Sequence, residues 1–240
     1  EKDEALIFVH GFKVGFLDAI YRCAQIAWDI RYEGIPVLYS WASRAKVLDY
    51  PYDQISARLA QPRFVALLLA LRDAGISKVH ILAHSMGNYA ILDAIYHHPE
   101  HARHALGIGE LLMAAPDVDA DHYRDVASTV RAAVQGMTLY ASSKDWAMTV
   151  SKTVAGRIPR AGEVSENGPI LVDRIDAIDV TAVGDNVLGL NHGYYASENS
   201  ILNDVKLLLE RGIRPPSNRL AEILGMPEGQ NPSKWWRYAR

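Results

Sequence analysis

Short apolar runs alternate with longer stretches of helical periodicity along almost the whole chain. Ala5-Leu-Ile-Phe-Val9 and Leu111-Leu-Met-Ala-Ala115 are apolar at every position, the mark of parallel strands covered on both faces. Strands are predicted at Ala5–His10, Pro36–Trp41, Val79–Ala83, Glu110–Ala114, Met137–Ala141 and Asp176–Val180. Between them, helical spacing predicts helices over Leu17–Ile30, Tyr52–Ala74, Gly87–His97, Ala120–Ala133, Asp145–Ala155 and Ser197–Arg211. Gly75 and Gly212 fall just past two of these, where a left-handed helix end favours glycine. Repeated strand–helix–strand units with right-handed crossovers put helices on both faces of one sheet. The expected fold class is α/β, with a mainly parallel sheet of about six or more strands.

Two stretches break this rhythm. Gly156–Leu171 is rich in glycine, proline and charge and is long for a plain connector, so it is expected to form a rim loop or a lid. After Pro215-Pro216, residues 218–240 carry a short amphipathic turn and then Trp235-Trp-Arg-Tyr238. Residues 1–214 are expected to form one domain, with 215–240 as a tail packed on it. A chain of 240 residues suffices for a single α/β domain with a two-sided core and is short for two. The net charge of −3 makes no case for nucleic acid or an anionic membrane as the main partner. No apolar run reaches the length of about 18 residues that a transmembrane helix needs. The lone Cys23 lies in an apolar-periodic helix, which rules out an internal disulfide and suits a small buried hydrophobe. The chain opens on Glu1 close to its first strand, which reads as a trimmed N-terminus and leaves cytoplasmic and exported locations both open.

The candidate chemistry centres on Ala83-His84-Ser85-Met86-Gly87, which joins the strand Lys78–Leu82 to the helix from Asn88. A serine on a sharp strand-to-helix turn, flanked by small residues, is a nucleophile elbow. Its hydroxyl needs a base, and the base needs an orienting acid. With such elbows the acid and then the histidine follow later in the chain, each beyond the carboxyl end of a strand. His192 is the only histidine downstream of the fifth predicted strand and is the expected base. Asp145 follows that strand and is the preferred acid; Asp117 after the fourth strand is its rival, with Asp173, Asp179 and Asp185 behind. Acyl transfer also needs oxyanion donors. The backbone amides of Met86, next to the nucleophile, and Phe12, in His10-Gly11-Phe12 after the first strand, are the expected pair, with His10 bracing the loop. Phe12, Trp41, Trp146 and Tyr194 are near these positions in sequence and are candidates to line the substrate pocket.

These residues resemble the α/β-hydrolase superfamily, and more narrowly a bacterial esterase/lipase-like branch catalogued as a domain of unknown function. The resemblance rests on Phe8-Val-His-Gly-Phe12, Gly34-Ile-Pro-Val-Leu-Tyr-Ser-Trp41, Leu82-Ala-His-Ser-Met-Gly-Asn88, Leu139-Tyr-Ala-Ser-Ser-Lys-Asp145 and His192-Gly-Tyr-Tyr195, and covers residues 5–212. It implies Ser85, Asp145 and His192 as the triad. Ala83 replaces the first glycine of the superfamily's Gly-x-Ser-x-Gly elbow.

Two other motifs are decoys. His97-His-Pro-Glu-His101 matches a zinc-peptidase pattern, but Pro99 interrupts the continuous helix such a site needs. Tyr140-x-x-x-Lys144 lacks the glycine-rich phosphate loop of a dehydrogenase. The function expected from the sequence is hydrolysis of a small-molecule carboxylic ester through an acyl-enzyme, with no cofactor and no metal. An amidase, thioesterase or peptidase with the same triad is the alternative, and a non-catalytic binding module on the same fold is the other.

Overall fold

The computed structural model describes residues 3–44, 46–100, 107–144, 158–184, 188, 201–226 and 235–239. Strands β1 (Glu4–Val9), β2 (Ile35–Tyr39), β3 (Lys78–His84), β4 (Gly107–Ala114), β5 (Gly136–Ala141) and β6 (Asp176–Asp179) lie within a residue or two of the expected segments, apart from three extra residues at the start of β4. The last part of the chain adds β7 (Ile223–Met226) and β8 (Trp235–Tyr238) to the same sheet. The order is β2-β1-β3-β4-β5-β6-β8-β7. All pairings are parallel except β7 with β8.

The described helices are α1 (Phe16–Asp29), α2 (Tyr50–Leu59), α3 (Gln61–Asp73), α4 (Gly87–His97), α5 (Ala120–Ala133) and α6 (Ile201–Arg211). Alternate strand residues feed opposite cores, because successive side chains point to opposite faces. Ile7, Val9, Ile81, Met113 and Leu139 pack with α2, α3, α4 and α5. Leu6, Phe8, Leu82, Leu112 and Ile178 pack with α1 and α6. Continuous apolarity in β1 and β4 is thus the sum of two alternating patterns. Cys23 is buried on the α1 side, and burial raises its thiol pKa.

The single helix expected over Tyr52–Ala74 is two helices meeting at Ala60. Pro62 has no N–H to donate and its ring crowds the carbonyl four residues back. The sequence therefore restarts at Gln61 with proline in the first turn, and the Tyr39 hydroxyl donates to the Ala60 carbonyl at 2.5 Å. Gly75 and Gly212 adopt φ of 89° and 61°, as helix-ending glycines do. The helix expected over Asp145–Ala155 and the first residues of Ser197–Arg211 lie outside the described residues.

From Ile158 on, the segment Gly156–Leu171 is a fastened rim loop. Ala120 N–H donates to the Pro159 carbonyl, Ala161 N–H to Val118 and Gly162 N–H to Pro116, at 2.8–3.0 Å. A Cβ on Gly162 would stand 2.6 Å from the backbone of Ala115 and Pro116, so the loop can lie this close only with glycine there.

At the amino ends of the strands, His80 is buried, and its Nδ1 accepts from the Glu110 N–H at 3.0 Å. Burial pushes its pKa down to about 4, partly opposed by Glu4. As pH falls below the unfolded-state value of about 6.5, the unfolded chain takes up a proton that the buried ring refuses. Stability is thereby lost between about pH 6.5 and pH 4, by up to about 3 kcal/mol for this group. Urea unfolding at stepped pH should show this slope, and His80→Asn, which keeps an acceptor near the Nδ1 position, should flatten it. Parallel profiles for the two proteins would assign the acid sensitivity elsewhere.

Candidate active site

β3 ends at His84 and α4 begins at Gly87, leaving Ser85 and Met86 to make the turn. Ser85 has φ of +50°, a left-handed conformation that costs a non-glycine residue roughly 1–3 kcal/mol. The surroundings hold it there. Ser85 N–H donates to the Ala114 carbonyl at the end of β4 at 2.9 Å, and its carbonyl accepts from Asn88 N–H at 3.2 Å. The Asn88 side chain donates to the carbonyls of Ala83 at 3.1 Å and Ser85 at 2.9 Å. Asn88 belongs to the quoted motif, yet this role is invisible in its sequence position.

The turn also fits tightly against the loop after β1. A Cβ on Gly87 would lie 2.5 Å from the His10 carbonyl oxygen, and one on Gly11 would lie 2.8 Å from the Ser85 Cβ. These approaches are the physical reason for glycine at both positions. His10 is buried and neutral, its pKa lowered chiefly by burial. Its Nδ1–H donates to the Gly11 carbonyl at 2.9 Å and its Nε2 accepts from Ser40 Oγ at 3.1 Å. The Trp41 indole stacks on the imidazole at 5.1 Å and donates to the His10 carbonyl at 2.7 Å. Trp41 also borders a groove of about 480 Å³ beside β2. His10 and Trp41 thus clamp the loop whose next residues are Gly11 and Phe12.

Phe12 and Met86 are both buried. Among the described residues, neither amide N–H donates a hydrogen bond. Met86 immediately precedes α4, where unpaired N–H groups and the positive end of the helix dipole favour an anion. The Phe12 ring meets Tyr50 edge to face at 5.1 Å. The Tyr50 hydroxyl donates to Asp117 Oδ2 at 2.8 Å, and Arg160 Nε stands 3.4 Å from Asp117 Oδ1. Burial, reinforced by the Asp117 carboxylate, drives the Tyr50 phenol far above its ordinary range, so it remains a donor. Asp117 is therefore committed to a buried latch between the loop after β1 and the rim loop. That latch escaped sequence reading because its members are 67 and 43 positions apart.

Of the remaining predicted residues, Asp145, Trp146, His192 and Tyr194 lie outside the described residues, as does Asp185. Asp179 is buried, accepting from Thr181 N–H and from Arg237 Nε at 3.1 Å; Asp173 is exposed and ion-paired with Arg174. A cavity of about 620 Å³ lies between the start of α5 and the rim loop, bordered by Ala120, Ser143, Arg160, Glu163 and Ile170. Ser143 stands two residues before Asp145. Among the described residues, no three His, Cys, Asp or Glu side chains converge as metal ligands.

A family model described as alpha/beta hydrolase of unknown function (DUF900) matches residues 1–211. The chain belongs to this family. Among curated proteins, nothing matches it. The parallel sheet and its helices are those of an α/β hydrolase, and membership supports hydrolase-type chemistry. In this family member, Ala83 at the first small position of the elbow is buried against its neighbours with its methyl accommodated.

The glycine contacts make a sharp prediction. Gly87→Ala should cost about 1–3 kcal/mol, the range for forced overpacking, and should displace the His10 loop from Ser85. Gly15→Ala, whose Cβ would meet only Asp18 Oδ2 at 3.5 Å, should stay within about 1 kcal/mol of the parent. Urea unfolding of both variants is the measurement, and equal losses would contradict the close approach.

Proposed function

We propose that this protein is a serine hydrolase that cleaves carboxylic esters. Ser85 Oγ attacks the ester carbonyl as His192 takes its proton, and the amides of Phe12 and Met86 receive the negative charge on the oxygen. The C–O bond to the alcohol breaks, and His192 returns the proton to the leaving oxygen. Water, deprotonated by His192, then releases the acid and restores Ser85. Asp145 holds the imidazole in the tautomer that accepts from serine. Each step uses the chain's own groups.

The observation that carries this reading is the strained φ of Ser85 at the head of α4. Strain at a polar side chain, over-determined by its surroundings, is characteristic of functional sites. The two amides described above support the oxyanion role. Asp145 takes the role of acid because Asp117 is engaged by Tyr50 and Arg160.

A fluorophosphonate probe should label Ser85, and p-nitrophenyl acetate should be turned over. Ser85→Ala should abolish both; undiminished labelling of that variant would refute the nucleophile. Asp145→Asn and His192→Ala should each lower kcat at least about a hundredfold, because the base then loses its tautomer or is missing. Asp117→Asn should keep kcat within about tenfold and act on stability, since it weakens a buried charged pair. The opposite ranking of the two aspartates would transfer the acid's role to Asp117.

A further inference from the structure

The net charge of −3 conceals one face that is both apolar and cationic. Leu48, in the 3-10 turn Val47–Asp49, and Tyr52, Ile55 and Leu59 of α2 recur at spacings of four, three and four residues. This spacing stacks them on one side of the helix. All four are exposed, Leu48 at 88% and Leu59 at 66%. The opposite side of α2 presents Tyr50, Asp53 and Ala57, which are buried. Packing of the fold accounts for that side and leaves the outer stripe unexplained. Exposed leucines are ordinary singly, whereas a continuous row of them marks a contact surface.

Cations outnumber carboxylates around the stripe. Arg44, Lys46 and Arg63 are exposed, whereas Arg58 turns its guanidinium over the ring of buried Tyr89 in α4, 4.7 Å from its centroid. The two carboxylates of the same stretch are engaged: Asp49 stands 3.6 Å from Arg44, and buried Asp53 accepts from Ser43 Oγ and the Arg44 N–H. The Arg44 guanidinium lies 3.7 Å above the Tyr52 ring. An aromatic ring capped by a cation, beside aliphatic side chains, suits a boundary that is apolar beneath and anionic above. β2 is the outermost strand at this end of the sheet, and the groove beside it continues the stripe from Tyr52, Ile55 and Leu59 to Trp41.

We propose that this face of α2 docks on an anionic lipid bilayer, with Leu48, Tyr52, Ile55 and Leu59 entering the headgroup boundary and Lys46 and Arg63 facing lipid phosphates. A short helix with an apolar row and basic flanks binds a membrane surface through buried area and charge together. A second copy is disfavoured as occupant, because two-fold pairing of one face with itself would oppose like cations.

The full chain should co-sediment with phosphatidylcholine vesicles containing phosphatidylserine, and at least about tenfold less with phosphatidylcholine alone, the difference shrinking at high salt. Leu48→Ser/Leu59→Ser should weaken binding to the anionic vesicles about tenfold or more. Its thermal midpoint should match the parent, since both leucines lie outside the core. Lys46→Glu/Arg63→Glu should erase the preference for phosphatidylserine. Equal binding to both vesicle types, or a Leu48/Leu59 variant that binds as the parent does, overturns the proposal. So does a parent that ignores vesicles of either composition, and self-association through Leu48 and Leu59 would then make the face a protein interface.

Discussion

The rest of the site depends on the approach of two backbones to within van der Waals contact at the carboxyl edge of the sheet. The loop after β1 and the turn after β3 fit together only because neither Gly11 nor Gly87 carries a Cβ. Parallel pairing of β1 with β3 brings these loops to the same edge, and the glycines set how far they close. Ser85 is caught between them. Its left-handed backbone is held by hydrogen bonds to β4, α4 and the Asn88 side chain. α4 is buried from Gly87 through Ile95, which gives the turn a rigid footing on both sides.

A second layer of polar contacts ties the periphery to this centre. Trp41 and His10 fix the loop from the β2 side. Tyr50, Asp117 and Arg160 fix it from the other, linking α2, the loop after β4 and the rim loop. Buried polar groups of this kind are useful only when each has a partner. Here they join the loops after β1 and β4, the rim loop and α2 into one wall. Position of the Phe12 amide is then set by the packing of the whole carboxyl edge.

β1, β3, β4 and β5 were legible because burial on both faces leaves an apolar signal too dense for a loop. The elbow was legible because its geometry restricts residue type at several adjacent positions. Pattern failed where apolar spacing masks a local break and where geometry is set by distant contacts. Proline at position 62 splits a helix whose apolar spacing runs on through it. Trp235–Tyr238 gives little strand alternation, since its place beside β6 comes from Arg237 pairing with Asp179 and Tyr238 entering the α6-side core. Asp117 looked like a free carboxylate after a strand, because Tyr50 and Arg160 are neighbours only in the folded chain. Helical spacing predicts a helix over α2 but does not say that its solvent-facing side is apolar.

The tail has a consequence for how much of this chain is a folding unit. The family match ends at residue 211, yet β8 fills the position next to β6, and β7 flanks it. Arg219 reaches back to the buried Asp204 of α6, which also accepts from the Tyr140 hydroxyl. A fragment stopped at the family boundary would expose the edge of β6 and uncover Asp204 and the apolar side of α6 together. Unpaired strand edges recruit other chains. The sheet therefore runs beyond the residues that the family model matches, and β8 supplies β6 with a neighbour from outside that match.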